Sequence, residues 1–378
     1  MKEIPILLTL LALFAACNSS STKEMTIPSP IYSFLVGTYT DSTNQGINLL
    51  KFNPENNSLT VETIFEGINN PSFLLANRAE NLVISLEEDT SVNGGNLMVF
   101  GLASGKLNPI DTIPSYGDHP CYIGFSPKEQ LVVAANYSGG SLSIYKLNPS
   151  NQLSHLQTIQ HDGKSINESR QEKAHVHSTV FSPDGNFLLV ADLGTDKIYS
   201  YAFNQSDHEP VSLYSTFECQ PGDGPRHVLF SADGKTVFAV QELTAILEIF
   251  DFEAGKLVPR QRLSLVVDDF KGAVGAAEVR ISPDGQQVYV SNRGEANSIS
   301  VFRRMEASQD FECIQVIASG GIMPRNFNLT ADGKYLVCAH QGSNDIVIFE
   351  RASDSGILTP TNWKVAVNKP VYIFPLRN

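Results

Sequence analysis

The chain has 378 residues, a formal net charge of −13, 42% hydrophobic residues and 18% charged residues. That balance belongs to a soluble globular protein, and its acidity speaks against nucleic acid or an anionic membrane surface as a partner. An anionic substrate would need local arginines working against the global field.

Met1-Lys2 leads into the apolar run Ile4 to Phe14 and then Ala15-Ala16-Cys17. A short basic start, an apolar stretch too short to span a bilayer comfortably and small residues before a cysteine fit a bacterial lipoprotein signal over 1–17. Cys17 would be acylated after cleavage, so the membrane is touched only through that lipid and the protein is expected at the cell envelope. The plainer alternative is an ordinary signal peptide with an incidental cysteine. Residues 18–30 are polar, rich in Ser and Thr, and read as a tether to one domain over 31–378. Export permits disulfides. Yet Cys121, Cys219, Cys313 and Cys338 show no CxxC spacing and lie in or near apolar runs, so buried free thiols are expected.

Past the tether, a strand, a tight turn and a second strand recur: "YIGFSPKEQLVVAANYSGG", "STVFSPDGNFLLVADLGTD", "HVLFSADGKTVFAVQELTA", "VRISPDGQQVYVSNRGEA" and "NFNLTADGKYLVCAHQGSN". A degenerate copy surrounds Asn77. The turns begin at Ser126, Ser182, Ser231, Ser282 and Thr330, at spacings of 56, 49, 51 and 48 residues. Asp-Gly between apolar or alternating runs is a hairpin signal, because glycine takes a positive φ without steric cost. A third strand follows each hairpin, as in "SLSIYKLN" and "KIYSYAFN", and a less regular fourth follows that. Four short antiparallel strands per repeat, with no helical period, predict an all-β propeller.

The ends supply the blade count. "SFLVGTYTDSTNQGINLLKFN" (Ser33 to Asn53) matches a second and third strand with no first, and "KPVYIFPLRN" (Lys369 to Asn378) matches a first strand with nothing after it. Six whole repeats plus two complementary fragments predict seven blades, the last closed by both termini so that no sheet edge stays open.

In each hairpin the start of strand one lies beside the end of strand two, opposite the turn. One face therefore gathers Pro71-Ser72, His119-Pro120, His175-Val176-His177, Pro225-Arg226-His227, Glu278 and Pro324-Arg325. To these it adds Glu87, Asn136-Tyr137, Asp192, Glu242, Asn292-Arg293 and Gln341. Unpaired buried charge is costly, so such a cluster needs mutual pairing or a ligand, and a central channel is a natural small-molecule pocket. Each residue also has a plainer role. The two histidines could be a satisfied structural pair, and a metal would need a third ligand that the sequence does not clearly place. Arg226 and Glu242 could form a rim salt bridge. Arg293 and Arg325, on neighbouring blades, are harder to explain without an anion. Glu88 and Asp89 read as solvated loop charges.

"GTYT", "NPSF", "ANYSGGS", "AHVHS", "ADLGTDKIYSY", "GDGPRH", "QEL", "SPDGQQVYVSNRG" and "MPRNF", in this order, resemble the propeller-type 6-phosphogluconolactonases, a lactonase family that also includes fungal carboxy-muconate cyclases. The resemblance covers Gly37 to Phe349. It implies a seven-bladed propeller acting on lactone rings without metal or other cofactor, on a sugar lactone that carries a phosphate or lacks one. Carried over by motif, the central site would use His177 or His175 from "AHVHS", Arg226 from "GPRH", Glu242 from "QEL" and Arg293 from "SNRG". "VQEL" stands where the family more often has Asn before the Glu, "AHVHS" has Ala for a common Pro, and "SLEE" keeps a glutamate at Glu87.

The chemistry expected of such a site is water attack on the carbonyl carbon, since no GxSxG elbow is present. His177 or Glu242 would be the base, Glu242 if burial raises its pKa. Arg226 and Arg293 would stabilise anionic oxygens. His175, Arg325, Asn136, Glu87, His227 and Glu278 would contact the substrate. A phosphorylated sugar lactone is a cytoplasmic metabolite, which sits poorly with an exported chain. A muconate-type cyclase or isomerase, and a non-catalytic surface propeller binding carbohydrate or protein, are the alternatives.

Overall fold

The computed structural model describes residues 31–377 apart from 42–45, 90, 92, 93, 129 and 205–208; Cys17, the signal sequence and the tether lie outside the described residues. Twenty-eight strands form seven four-stranded antiparallel sheets, and no helix occurs among the described residues. Blades are numbered here in chain order. In blade 1, Pro370–Leu376 is the innermost strand and pairs with Tyr32–Thr38, so the two termini close the ring as expected.

The recurring turn explains itself chemically. Ser182 donates its hydroxyl to Asp184 at 2.6 Å and accepts from the Phe187 amide at 3.0 Å, while Gly185 takes φ +74°. The same hydroxyl-to-aspartate bond recurs at Ser231–Asp233 and Thr330–Asp332, at 2.6 and 2.7 Å. Side-chain oxygens thus satisfy the turn's amides without water, as Asx-type turns do.

The core lies between blades. Val133, Ala135, Leu142 and Ile144 of blade 3 pack on Val176, Leu188, Val190 and Tyr201 of blade 4. The closing seam is built alike: Phe34, Val36, Leu50 and Phe52 of blade 1 meet Val337, Ala339, Ile346 and Ile348 of blade 7. There Phe52 also packs edge-on against Trp363 and Tyr335, at 4.7 and 5.0 Å between centroids. Each outermost strand keeps one face in solvent. That placement overturns one expectation: Cys313 sits on the outer strand Phe311–Ala318 and is exposed, whereas Cys219 and Cys338 are buried and Cys121 half-buried. All four are free thiols.

A central pocket built from bulges

One structural device aims most of the site. Where the innermost strand begins, its pairing with the second strand skips a residue: Pro120 and Tyr122, Val176 and Ser178, Pro225 and His227, Pro324 and Asn326 each oppose consecutive partners. The skipped residues are Cys121, His177, Arg226 and Arg325. A β-bulge leaves one residue out of the ladder and re-aims its side chain, and here four blades use it to turn a side chain toward the axis. In blade 6 the skip spans Ala277 and Glu278.

The second contribution comes from the position just after a second strand's last paired residue. Glu88, Tyr137 and Glu242 stand there, and Arg293 occupies the same place in blade 6. The residues one position earlier spend their polar groups inside their own blades or on the connections that lead into them. Asn136 donates to Ser141 Oγ at 3.2 Å, Asp192 pairs with His161 at 2.9 Å, and Gln241 donates to Glu248 at 2.7 Å. Glu87 likewise accepts from Asn96 at 2.7 Å and from Asn69 at 3.3 Å.

The pocket at the channel mouth has a volume of about 180 Å³ and is lined by Tyr39, Glu88, His119, Cys121, Tyr137, Arg170, His177, Glu242, Arg293 and Arg325. His177, Glu242, Arg293 and Arg325 are therefore brought together as expected. Glu87 and Asn136, expected at the substrate, do not line the pocket: Asn136 is buried within its blade and Glu87 is turned to Asn96 and Asn69. Glu88, expected in solvent, is 3% exposed and lines the pocket, whereas Asp89 is exposed.

Glu242 sits in an arginine cage. Its Oε1 is 2.5 Å from Arg170 Nη2, and its Oε2 is 2.9 Å from Arg293 Nη2 and 3.0 Å from Arg226 Nε. Burial raises the carboxyl's pKa, but Arg293, Arg226 and Arg170 outweigh it and hold it at about 2. The idea that burial makes Glu242 a base is thus reversed: it is a fixed anion whose oxygens are already engaged. Arg226 lies behind the lining, 2% exposed, with Nη1 donating to the Ala277 carbonyl and to His227 Nε2. Burial, then Arg293 and Arg325, lower its pKa to about 9, so it stays charged at neutral pH.

His177 is buried, and its pKa falls well below 6.5 through desolvation first and then the charges of Arg226, His227 and Arg325. It is a neutral imidazole at pH 7, packed edge-on to Tyr137 and His227 at 5.4 and 5.3 Å. Cys121 Sγ lies 3.9 Å from His177 Nδ1, but burial raises that thiol's pKa, so it is no thiolate nucleophile.

The remaining expected contacts stand one layer back. His175 donates Nδ1–H to the Tyr137 carbonyl at 3.0 Å and stacks on the Tyr137 ring at 4.5 Å, so it positions that wall. Deeper in the channel, His227 accepts from Arg226 and so must donate through Nδ1 to Glu278 Oε1, 3.2 Å away. Burial and Arg226 lower His227 to about 4. Glu278, about 2 against the pull of burial, is held by Arg280 at 2.8 Å and also accepts from Asn326. None of His175, His227 and Glu278 lines the pocket.

Arg170 was not legible as a site residue. It stands in the connection between blades 3 and 4, outside the repeat. The 56-residue spacing, against 48 to 51 elsewhere, marks the insertion that carries it. Arg325 differs from the other arginines: among the described residues it has no carboxylate within ion-pair distance. Its Nη2 donates to Tyr39 Oη at 2.9 Å, and its guanidinium lies 5.3 Å from that ring's centroid.

A propeller with a cationic, water-accessible mouth around a neutral histidine is a small-molecule site of the kind that manages anionic intermediates. Residues 33–375 match the family described as lactonase, seven-bladed β-propeller, and the chain belongs to that family. It is 28% identical over 345 residues to the 6-phosphogluconolactonase of Bacillus subtilis, covering 90% of this chain and 97% of the relative. Among solved structures, the periplasmic gluconolactonase of Pseudomonas aeruginosa superposes with a TM-score of 0.86 at 29% identity, covering 92% of this chain and 99% of that one. A Lactobacillus plantarum protein superposes with a TM-score of 0.85 at 30% identity, covering 92% and 100%.

Proposed function

We propose that this pocket hydrolyses a sugar lactone to its hydroxy acid, with 6-phosphogluconolactone and glucono-lactone as the candidate substrates. The carrying observation is a neutral His177 held beside arginines in one cavity, with Glu242 fixing two of those arginines at the wall. His177 takes a proton from the attacking water, and Arg293 stabilises the oxyanion that forms on the carbonyl oxygen. Glu242 acts as a positioning residue: it holds Arg170, Arg226 and Arg293 at fixed distances from one another. The reaction is metal-independent in this reading, because the guanidinium groups of the lining disfavour a cation and already supply positive charge where it is needed. The direct test is proton release at neutral pH with both lactones, with and without EDTA. Turnover unaffected by EDTA is expected, and absence of turnover above spontaneous hydrolysis would favour a cyclase or a binding propeller.

Arg325 supports an anionic group on the substrate, since it is the lining arginine without a carboxylate partner among the described residues. Losing one charge-assisted contact of ~1.5–3 kcal/mol, Arg325→Met is expected to raise KM for the phosphorylated lactone roughly 10–100-fold. The KM for plain glucono-lactone should move far less; equal shifts would remove Arg325 from the phosphate.

A second reading, the unphosphorylated lactone, is favoured by the run Ile4 to Phe14 ahead of Cys17 and by the periplasmic relative. In that reading the chain is exported and anchored through a lipid on Cys17. Cys17→Ser is expected to move the protein from the membrane to the soluble fraction and abolish labelling by a fatty-acid probe. Retained membrane association would remove the anchor.

A further inference from the structure

We propose that Glu88 is a second catalytic carboxylate of this pocket, the acid that protonates the ring oxygen as the lactone C–O bond breaks; this rests on the lactone-hydrolase reading above. Two carboxylates line the cavity, and they differ in what their oxygens already do. Both oxygens of Glu242 are engaged by arginines. In Glu88, Oε1 lies 2.6 Å from His119 Nε2 and accepts from Tyr39 Oη at 3.1 Å. Its Oε2 is buried and has no protein partner. Leaving a buried carboxylate oxygen unsatisfied is unfavourable, so its retention at a cavity wall points to a ligand as partner.

The 2.6 Å contact between His119 Nε2 and Glu88 Oε1 places one proton between the two groups. The Glu88 backbone is pinned by Asn70, whose Nδ2 donates to the Glu88 carbonyl at 3.0 Å. His119 also meets Ser138 Oγ at 2.9 Å through Nδ1, and its ring is about a quarter exposed, at 24%. The pair can therefore share one proton and exchange it with solvent. The titratable or charged groups facing Glu88 are His119 and Cys121 from blade 3, Tyr39 from blade 1 and Arg325 from blade 7. Blade 2, which carries Glu88, lies three places round the ring from blade 5 and Glu242, so the two carboxylates occupy opposite walls.

The step balances. His177 takes one proton from water as the water oxygen bonds to the carbonyl carbon and the carbonyl electron pair moves onto its oxygen. When that pair returns, the ring C–O bond breaks, and the proton held between Glu88 and His119 passes to the departing oxygen. The new carboxylic acid ionises. Of its proton and the one on His177, one reloads the Glu88–His119 pair and the other leaves to solvent, giving the single proton that hydrolysis releases at neutral pH.

If Glu88 only braces His119 and Tyr39, its loss should harm every substrate alike. The test is Glu88→Gln on the full chain, assayed with glucono-lactone and with dihydrocoumarin, whose phenolic leaving group needs no acid. The expected result is a fall in kcat of roughly 10²-fold or more on the sugar lactone, within the range for general acid–base catalysis, and only a few-fold on the aryl lactone. In Glu88→Ala, added formate should restore part of the sugar-lactone rate. Equal losses on both lactones without formate rescue, or no loss on either, would overturn the assignment of Glu88 while native turnover left the lactonase reading standing. Absence of native turnover on every lactone would overturn both.

Discussion

Glu242→Gln is expected to destabilise the ligand-free fold by ~3–5 kcal/mol at neutral pH, the usual cost of removing one partner from a buried charge cluster. Glu242 is 4% exposed and touches three guanidinium groups, two of which, on Arg226 and Arg293, are themselves pushed toward losing their charge by burial. Glutamine keeps the shape and removes the charge, leaving those arginines to repel one another. The sign with pH follows from the carboxyl's fall from its ordinary 4.5 to about 2 in the fold. Its contribution is fully present above about pH 4.5 and is lost as pH falls toward 2. Urea unfolding at pH 7 should therefore separate native and variant chains, and the gap should close between pH 4.5 and 2. Millimolar phosphate should stabilise the variant more than the native chain, by bringing into the pocket a negative charge for Arg170 and Arg293, which line it. A gap independent of pH would mean that packing, not charge, carries the effect.

The propeller was legible because its signals are local and repeated. A Ser-x-Asp-Gly turn specifies a hairpin wherever it stands, and two incomplete ends that complement one another specify closure. The face on which the site gathers followed from hairpin geometry alone. What failed was register by a single residue. "SLEE" offers Glu87 and Glu88 side by side, and "AANY" offers Asn136 and Tyr137. Strand alternation makes one of each pair a blade residue and the other a pocket residue, and no sequence signal says where the strand stops pairing. The bulges are equally silent: Cys121 lies at the same skipped position as His177 and Arg325, yet only the histidine and arginines look like chemistry. Arg170 escaped because a loop side chain reaching Glu242 leaves no pattern beyond an overlong repeat.

The charge state of Glu242 was left open for a different reason. Burial and nearby arginines act on a carboxyl in opposite directions, and their balance depends on distances of 2.5 to 3.0 Å that a sequence does not contain. The outcome divides labour across the pocket. The carboxylate with both oxygens engaged organises arginines, whereas His177 is neutral at pH 7 and Glu88 keeps one oxygen without a protein partner.

His177→Asn is expected to lower kcat/KM at pH 7 by roughly 10²–10⁴-fold, the range for losing a positioned general base, while the chain stays folded. The native profile should carry a specific mark. An ordinary histidine base would lose activity on the acid side near pH 6.5; His177, depressed well below that value, should hold the rate flat through pH 6 and let it fall only at lower pH. Depression has a cost, since a weaker base takes a proton less readily. Here the cost is matched to the reaction. Desolvation and the charges of Arg226 and Arg325 disfavour an imidazolium in the empty pocket. In the proposed reaction, however, the proton arrives on His177 as negative charge develops on the carbonyl oxygen beside Arg293. That oxyanion offsets the repulsion, so proton uptake becomes favourable only when it is coupled to addition. A pH–rate profile of the native chain, set beside that of His177→Asn, separates this from a structural role. If His177 is the base, the acid limb disappears in the variant along with the rate; an unchanged limb on a uniformly lowered curve would assign the proton transfer to another group.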